Sequence, residues 1–133
     1  MKKYLIGLMA LLLLLGGCGA DGDSGGEPTA FAQISQEEAK TIMSTNREAV
    51  ILDVRTQEEY DGGHIKGAVL LPVDEITAET AQAVIPTKDT QVLVYCRSGN
   101  RSVTASETLA ELGYTEVYEF GGIITWPYET ETR

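Results

Sequence analysis

The chain has 133 residues, with 20 acidic against 10 basic side chains and a formal net charge of −10. Its length fits one ordinary domain, and an apolar fraction of 43% with 23% charged residues is typical of a globular chain. The acidity argues against a nucleic-acid partner, which requires a basic surface, and two cysteines with one histidine exclude a structural zinc site of four cysteines or of two cysteines and two histidines.

Residues 1–17 are predicted to form a signal peptide. A positive start (MKK) precedes an apolar run over residues 4–15, which is shorter than the roughly 20 residues that span a bilayer as a helix. Residues 15–18 (LGGC) resemble the lipobox of bacterial lipoproteins, in which the cysteine is lipidated and becomes the new N-terminus. We therefore expect a lipid on Cys18 that holds the protein at the cell membrane, facing outside the cytoplasm. The alternatives are an ordinary signal peptide and an uncleaved anchor.

Residues 18–30 are rich in Gly and Asp and contain no large apolar side chain, so they are predicted to form a tether. Such a segment reaches roughly 17–21 Å, which is enough to hold a domain clear of a membrane. The folded domain is predicted to cover residues 31–128, and a polar tail follows at 129–133.

Helices and strands are predicted to alternate along the domain. Capping boxes over Ser35–Glu38 and Thr56–Glu59 begin two helices, of which the second ends by Gly62 or Gly63. A third, short helix lies within residues 74–85, and a fourth covers 102–112. Apolar strands are predicted at 49–53, 68–71, 91–95 and 116–120. Continuous apolar strands between helices indicate an α/β fold, a single domain with a mainly parallel central sheet and helices on both faces.

The loop after the strand 91–95 carries the candidate chemistry. Cys96 lies at the carboxyl end of a strand, where α/β sheets bind ligands, and the loop then enters a helix whose first N–H groups favour an anion. That environment, with Arg97 and Arg101 nearby, lowers the pKa of a cysteine from about 8.5. Gly99 and Asn100 tolerate positive φ, which lets the loop curl. With Cys18 lipidated, Cys96 has no disulfide partner in the chain. The alternative is a small buried hydrophobe.

The chain resembles a rhodanese (thiosulfate sulfurtransferase) domain over residues 31–128. The matching segments are LDVR at 52–55, EEY at 58–60 and GHIKGA at 63–68, the loop VYCRSGNRS at 94–102, and the ending Gly121-Gly122-Ile123 with Trp126. Three motifs in this order are far more specific than the loop alone.

The resemblance implies a persulfide cycle on Cys96, which takes a sulfane sulfur from thiosulfate or a persulfide and passes it to a thiol or cyanide-like acceptor. It also implies that the backbone amides of the loop cradle the persulfide or an oxyanion, while two arginines supply positive charge. The residues concerned are Arg97, Ser98, Gly99, Asn100 and Arg101. No metal or organic cofactor is expected, and we expect a monomer.

Three further motif residues have structural interpretations. The resemblance implies that Asp53 and Arg55 tie the first motif to neighbouring backbone. His64 is the only histidine and could carry protons, but a histidine in a turn of this kind is more often a hydrogen-bonded structural group. Arg101 is expected to fold back over the loop with a bidentate contact, and therefore to matter more than Arg97 for anion binding.

Two other functions stay open at this point. A sulfur carrier or binding module would use the same loop without rapid turnover. A phosphatase or arsenate reductase of the same fold class is the other alternative. Four residues separate Cys96 from Arg101, whereas cysteine phosphatases place five there, so the shorter loop favours sulfur over phosphate.

Overall fold

A computed structural model describes residues 30–132. The predicted signal peptide, Cys18 and the tether up to residue 29 lie outside the described residues. Within residues 30–132, no helix combines the length and the apolar character needed to cross a membrane.

The described part of the chain alternates helices and strands, as predicted. The strands are β1 (Ala32–Gln33), β2 (Val50–Asp53), β3 (His64–Ile65), β4 (Val69–Leu70), β5 (Val92–Cys96), β6 (Val117–Gly122) and β7 (Thr130–Glu131). The helices are α1 (Gln36–Thr45), α2 (Gln57–Gly62), α3 (Ala78–Val84) and α4 (Asn100–Glu111), with short 3₁₀ turns at Val73–Glu75 and Ile123–Thr125.

The central sheet has the strand order β1-β6-β5-β2-β4, and its pairings are all parallel. Strand β5 is central, with Val92 opposite Val50 of β2 and Val117 of β6. The predicted α/β class with a mainly parallel sheet is confirmed. A separate antiparallel ribbon joins β3 to β7, so residues 130 and 131, which the sequence assigned to the tail, pair with His64 and Ile65.

Alternating side chains of β5 face two apolar clusters, one on each side of the sheet. Val92, Val94 and Cys96 pack against α3 and α4, through residues such as Ala81 and Leu109. Leu93 and Tyr95 face the other cluster, which includes Ala39 of α1, Ile65, Phe120 and Trp126. The prediction of helices on both faces is therefore confirmed.

Both predicted capping boxes are present. The Ser35 hydroxyl accepts from the Glu38 N–H at 3.0 Å, and the Glu38 carboxylate accepts from the Ser35 N–H at 2.8 Å. Thr56 and Glu59 make the same pair of contacts at the start of α2. Because each box satisfies two N–H groups that a helix start leaves open, the sequence fixes these two starts locally.

Two element bounds differ from the sequence-based prediction next to the loop. Helix α4 begins at Asn100 and not at Ser102, because Gly99 takes a left-handed conformation (φ 117°) and caps the helix early. Strand β6 continues to Gly122 and not only to Phe120, which carries its end alongside the loop. Strands β1, β3 and β7 were not predicted, because two residues are too short to show a period of two.

Candidate active site

The loop between β5 and α4 encloses the sulfur of Cys96. Cys96 is the last residue of β5, and its side chain is buried, with 1% of the residue exposed. The left-handed turn at Gly99 directs the Gly99 N–H to the sulfur, with N···Sγ at 3.0 Å. A side chain at this φ would be strained, so glycine suits the position.

The end of β6 packs directly against the loop. A Cβ atom built on Gly122 would lie 2.0 Å from the carbonyl oxygen of Arg97 and 2.6 Å from the Cα of Ser98. The Ile124 N–H donates to the same Arg97 carbonyl at 3.3 Å. Only glycine permits this approach, which explains why the second glycine of the Gly-Gly ending is needed.

The surroundings of Cys96 favour its thiolate. Burial raises the pKa of the thiol, but the hydrogen bond between Cys96 and the Ser102 side chain and those from the amides of Ser102, Gly99 and Ser98 act in the opposite direction, and the net pKa is lowered. This direction agrees with the expectation from the loop and helix start. A lowered pKa raises the thiolate fraction near neutral pH, and the thiolate is the nucleophilic form.

The two arginines of the loop have different environments. Arg97 is exposed, whereas the Arg101 guanidinium makes a bidentate contact with the Glu59 carboxylate at 2.9 and 3.0 Å. Arg101 holds the pKa of Glu59 down at about 2. The bidentate contact expected of Arg101 is therefore present, but its partner is a carboxylate of α2 and not a group of the loop. Arg97 is the arginine whose head group faces solvent beside the loop.

A cavity of about 440 Å³ opens beside the loop. Its lining includes two cations, Arg55 and Arg97, and two acids, Glu58 and Glu59, together with Ile123 and Ile124. Ile124 is 60% exposed, which is unusual for a large apolar residue. The cavity can therefore offer an anion contact and an apolar rim to a molecule that approaches the loop.

A larger cavity, of about 620 Å³, lies elsewhere. Its lining includes Lys40 and Arg47, with Trp126 and Tyr128 as aromatic walls, and contains no residue of the Cys96 loop. Cavity size therefore does not identify the candidate site. The reactive sulfur and its converging N–H groups do.

Asp53 pairs with Tyr95, on the face of the sheet opposite Cys96, and forms a buried ion pair with Arg55, which lies beyond the end of β2 and lines the cavity beside the loop. The Arg55 guanidinium donates to both Asp53 oxygens, the shortest contact being 2.7 Å, and to the carbonyl of Gly63 at 2.7 Å. The Tyr95 hydroxyl donates to Asp53 at 2.5 Å and accepts from the Ile65 N–H. Burial, followed by the hydrogen bond to Asp53, raises the pKa of Tyr95. This cluster ties β2 and β5 to the segment that carries β3.

His64 is buried within the fold. Its ring stacks on Tyr60 at 3.7 Å, its Nδ1 lies 2.9 Å from the Tyr60 carbonyl, and its Nε2 lies 3.4 Å from Glu131. These contacts join α2 to the β3–β7 ribbon. They give His64 partners in the fold and no contact with the Cys96 sulfur.

Sequence reasoning missed two residues near the sulfur. Ser102 stands inside the quoted loop motif, and its Oγ lies 3.4 Å from Cys96 Sγ. Glu119 is 4% exposed and accepts a hydrogen bond from Ser102 at 2.5 Å. The signal in the sequence for Glu119 was a single acidic residue inside the otherwise apolar strand β6. Residues 30–132 contain no cluster of three or more His, Cys, Asp or Glu that could hold a metal ion.

Comparison with protein families gives a match to the rhodanese-like domain over residues 35–126. The chain is 43% identical over 72 residues to the thiosulfate sulfurtransferase PspE of Escherichia coli, covering 54% of this chain and 68% of that protein. It is 37% identical over 97 residues to the thiosulfate sulfurtransferase GlpE of Coxiella burnetii, covering 72% of this chain and 87% of that protein.

Among solved structures, one described as a rhodanese with anions from E. coli is similar to this chain. The TM-score is 0.60 with 34% sequence identity, and the match covers 64% of this chain and 99% of the other. The family match over residues 35–126 contains β2, the Cys96 loop and the Gly-Gly ending.

Proposed function

Because this chain belongs to the rhodanese-like domain family, we propose that it is an enzyme, a sulfurtransferase that carries sulfane sulfur on Cys96. The donor is thiosulfate or a persulfide, and the acceptor is a thiol or a cyanide-like nucleophile. Relatives named thiosulfate sulfurtransferases support this activity. The proposal requires no metal or organic cofactor.

The observation that carries the proposal is the direct contact between the loop and the Cys96 sulfur. The Gly99 N–H reaches Sγ at 3.0 Å, and the amides of Ser98 and Ser102 also lower the pKa of the thiol. These donors surround the sulfur at the end of β5. They are the kind of group that stabilises a thiolate before transfer and a persulfide anion after it.

The proposed cycle has two displacement steps. The Cys96 thiolate attacks the sulfane sulfur of thiosulfate; a new S–S bond forms, the S–S bond of thiosulfate breaks, and sulfite leaves with the electron pair. The acceptor then attacks the outer sulfur of the persulfide, and the Cys96 thiolate is released. Arg97, exposed at the rim of the cavity, is placed to attract an anionic donor.

Anchoring at the cell membrane, outside the cytoplasm, is a second part of the proposal. The LGGC sequence that ends at Cys18 after an apolar run supports lipidation, and the Gly-rich segment supports a tether. Two or three acyl chains anchor a protein stably, whereas one is marginal. The intact mass of the native protein should show acyl groups on Cys18, and Cys18→Ser should move it out of the membrane fraction; an unmodified Cys18 would refute this part.

Sulfur transfer can be tested on the purified full chain. With thiosulfate and cyanide we expect catalytic release of thiocyanate, abolished in Cys96→Ser, and negligible hydrolysis of p-nitrophenyl phosphate. A single stoichiometric transfer without turnover would favour a sulfur carrier. Faster hydrolysis of the phosphate ester than consumption of thiosulfate would contradict the sulfurtransferase.

A further inference from the structure

Glu119 is a buried acid that the proposed cycle does not use. It lies on β6, 4% exposed, and pairs with Val94 of β5, whose side chain lies on the same face of the sheet as Cys96. Its Oε2 accepts from the Ser102 hydroxyl at 2.5 Å and from the Gly121 N–H at 2.9 Å, and its Oε1 accepts from the Gln33 amide at 3.2 Å. None of the four ion pairs in residues 30–132 includes Glu119. A buried carboxylate with neutral donors alone is costly, so it calls for an explanation.

Ser102 connects this carboxylate to the reactive sulfur. The residue is fully buried, and its Oγ lies 3.4 Å from Cys96 Sγ and 2.5 Å from Glu119 Oε2. A hydroxyl has one proton, so Ser102 cannot donate to Glu119 and to the sulfur at the same time. The contact with Glu119 is the shorter one, so the Ser102 hydroxyl donates its proton to the Glu119 carboxylate. Ser102 then presents a lone pair to the Cys96 thiol and can accept its proton.

We propose that Ser102 and Glu119 form a proton relay that receives the proton of Cys96 when the sulfur becomes a nucleophile. The S–H bond of Cys96 breaks as Ser102 Oγ takes that proton, and the original Ser102 proton passes to Glu119 Oε2. The products are a thiolate and a neutral carboxylic acid, so one negative charge is present before and after the step. Ser102 touches the reacting sulfur, whereas Glu119 acts through Ser102 and is a positioning residue.

The charged groups around the relay do not provide another proton acceptor. The charge of Arg101 interacts with Cys96, but its guanidinium is held by Glu59. Arg97 is exposed to solvent, and the contact from β1 comes from the neutral amide of Gln33. Cys96 is 1% exposed, and two contacts, of 3.4 and 2.5 Å, lead from its sulfur through Ser102 to Glu119. The relay rests on the proposed function only in requiring a thiolate at Cys96.

Alkylation of Cys96 by iodoacetamide tests the relay without any sulfur donor. On the full chain, mass spectrometry of the peptide that contains Cys96 gives the rate constant at each pH. In the wild type, one proton is shared between Cys96 and Glu119, so the rate constant should vary less than about threefold between about pH 5 and about pH 7. In Glu119→Gln the proton must leave to solvent, and the rate constant should fall about tenfold for each pH unit below the pKa of the thiol.

Glu119→Gln is expected to fold, since its amide oxygen can accept from Ser102 and Gly121 while the Gln33 amide rotates to accept from its nitrogen. Ser102→Ala removes the bridge and should lose the flat pH profile in the same way, which decides the matter if Glu119→Gln fails to fold. Ser106→Ala is the matched control. Ser106 lies one turn further along α4, fully buried, and its hydroxyl has no hydrogen-bond partner within residues 30–132.

Ser106→Ala should keep the wild-type profile. Parallel profiles of the wild type and Glu119→Gln would overturn the relay, as would a steep profile in the wild type. These outcomes are independent of the proposed function: a wild type that transfers no sulfur would refute the sulfurtransferase, yet its alkylation profile would still report on the relay.

Discussion

Tyr95 and Cys96 are neighbours on β5, and their side chains point to opposite faces of the sheet. A carboxylate is buried on each of these faces. On the Tyr95 face, Asp53 is neutralised by Arg55 at 2.7 Å and receives the Tyr95 hydroxyl. On the Cys96 face, Glu119 receives a hydroxyl and two amide donors and no cation. The two acids are similarly buried, but Asp53 has a cationic partner and Glu119 has only neutral hydrogen-bond donors.

This difference in partners distinguishes a structural carboxylate, Asp53, from one that we propose takes part in the chemistry of Cys96, Glu119. The Arg55 guanidinium locks the Asp53 carboxylate in place, so Asp53 serves as a fixed link between β2, β5 and the segment leading to β3. Glu119 lacks that lock and reaches the reactive sulfur through a single hydroxyl. Neighbouring residues of one strand thus belong to a structural cluster and to a reactive one.

The largest expected effect on stability comes from breaking the ion pair. Arg55→Ala leaves Asp53 buried without its cation and should lower the free energy of unfolding by about 3–5 kcal/mol. Glu119→Gln keeps hydrogen bonds at its site and should lower it by less than about 1 kcal/mol. Urea unfolding at neutral pH measures both. Equal losses in the two variants would remove the distinction between the clusters.

Gly122→Ala tests the packing of β6 against the reactive loop. The added methyl group meets the backbone of Arg97 and Ser98, and backbone cannot move aside as a flexible side chain can. We expect a loss of about 1–3 kcal/mol in the free energy of unfolding and slower sulfur transfer.

Gly62→Ala is the control for this substitution, because a Cβ there meets nothing within 4 Å. It should change the free energy of unfolding by less than about 0.5 kcal/mol. Unchanged sulfur transfer in Gly122→Ala would show that the close approach does not shape the loop.

The two loop arginines should separate binding from stability. Arg97→Ala should raise the KM for thiosulfate about fivefold with little change in the free energy of unfolding, since its side chain faces the cavity and solvent. Arg101→Ala should lower the free energy of unfolding by about 1 kcal/mol, because it breaks a partly exposed pair with Glu59. This order reverses the ranking expected from sequence. A larger rise in KM in Arg101→Ala would restore it.

The smallest effect is the pH dependence of the Glu59–Arg101 pair. The pKa of Glu59 is lowered from 4.5 to about 2, chiefly by Arg101, so the pair contributes its stability above about pH 4.5 and loses it as the pH falls towards 2. The pair is partly exposed, which limits its contribution to about 1 kcal/mol. Glu59→Gln should therefore destabilise the protein at pH 7 more than at about pH 3. A loss of unfolding free energy in Glu59→Gln that grows on acidification would contradict this prediction.

Features fixed by local sequence were predictable. The capping boxes at Ser35 and Thr56 need only four residues each, and the apolar runs that became β2 and β5 identify buried parallel strands. The position of Cys96 between a strand and a helix was sufficient to predict converging N–H groups and a lowered pKa.

Contacts between distant segments were not predictable in the same way. Arg101 meets Glu59 across 42 positions and Glu119 meets Ser102 across 17, and no local pattern indicates such partners. The partner of the bidentate Arg101 contact was missed for this reason, since the sequence analysis considered the loop without the neighbouring helix α2. Very short strands such as β3 and β7 also form only because tertiary contacts bring them together.

The mass of the Cys96 peptide after incubation with thiosulfate tests the central claim most directly. The full chain is treated with thiosulfate without an acceptor, digested under non-reducing conditions and compared with Cys96→Ser. We predict that the wild-type peptide gains the mass of one sulfur atom, that cyanide removes it as thiocyanate, and that the Cys96→Ser peptide gains none. An unchanged Cys96 peptide in a protein that still releases thiocyanate would contradict the persulfide on Cys96.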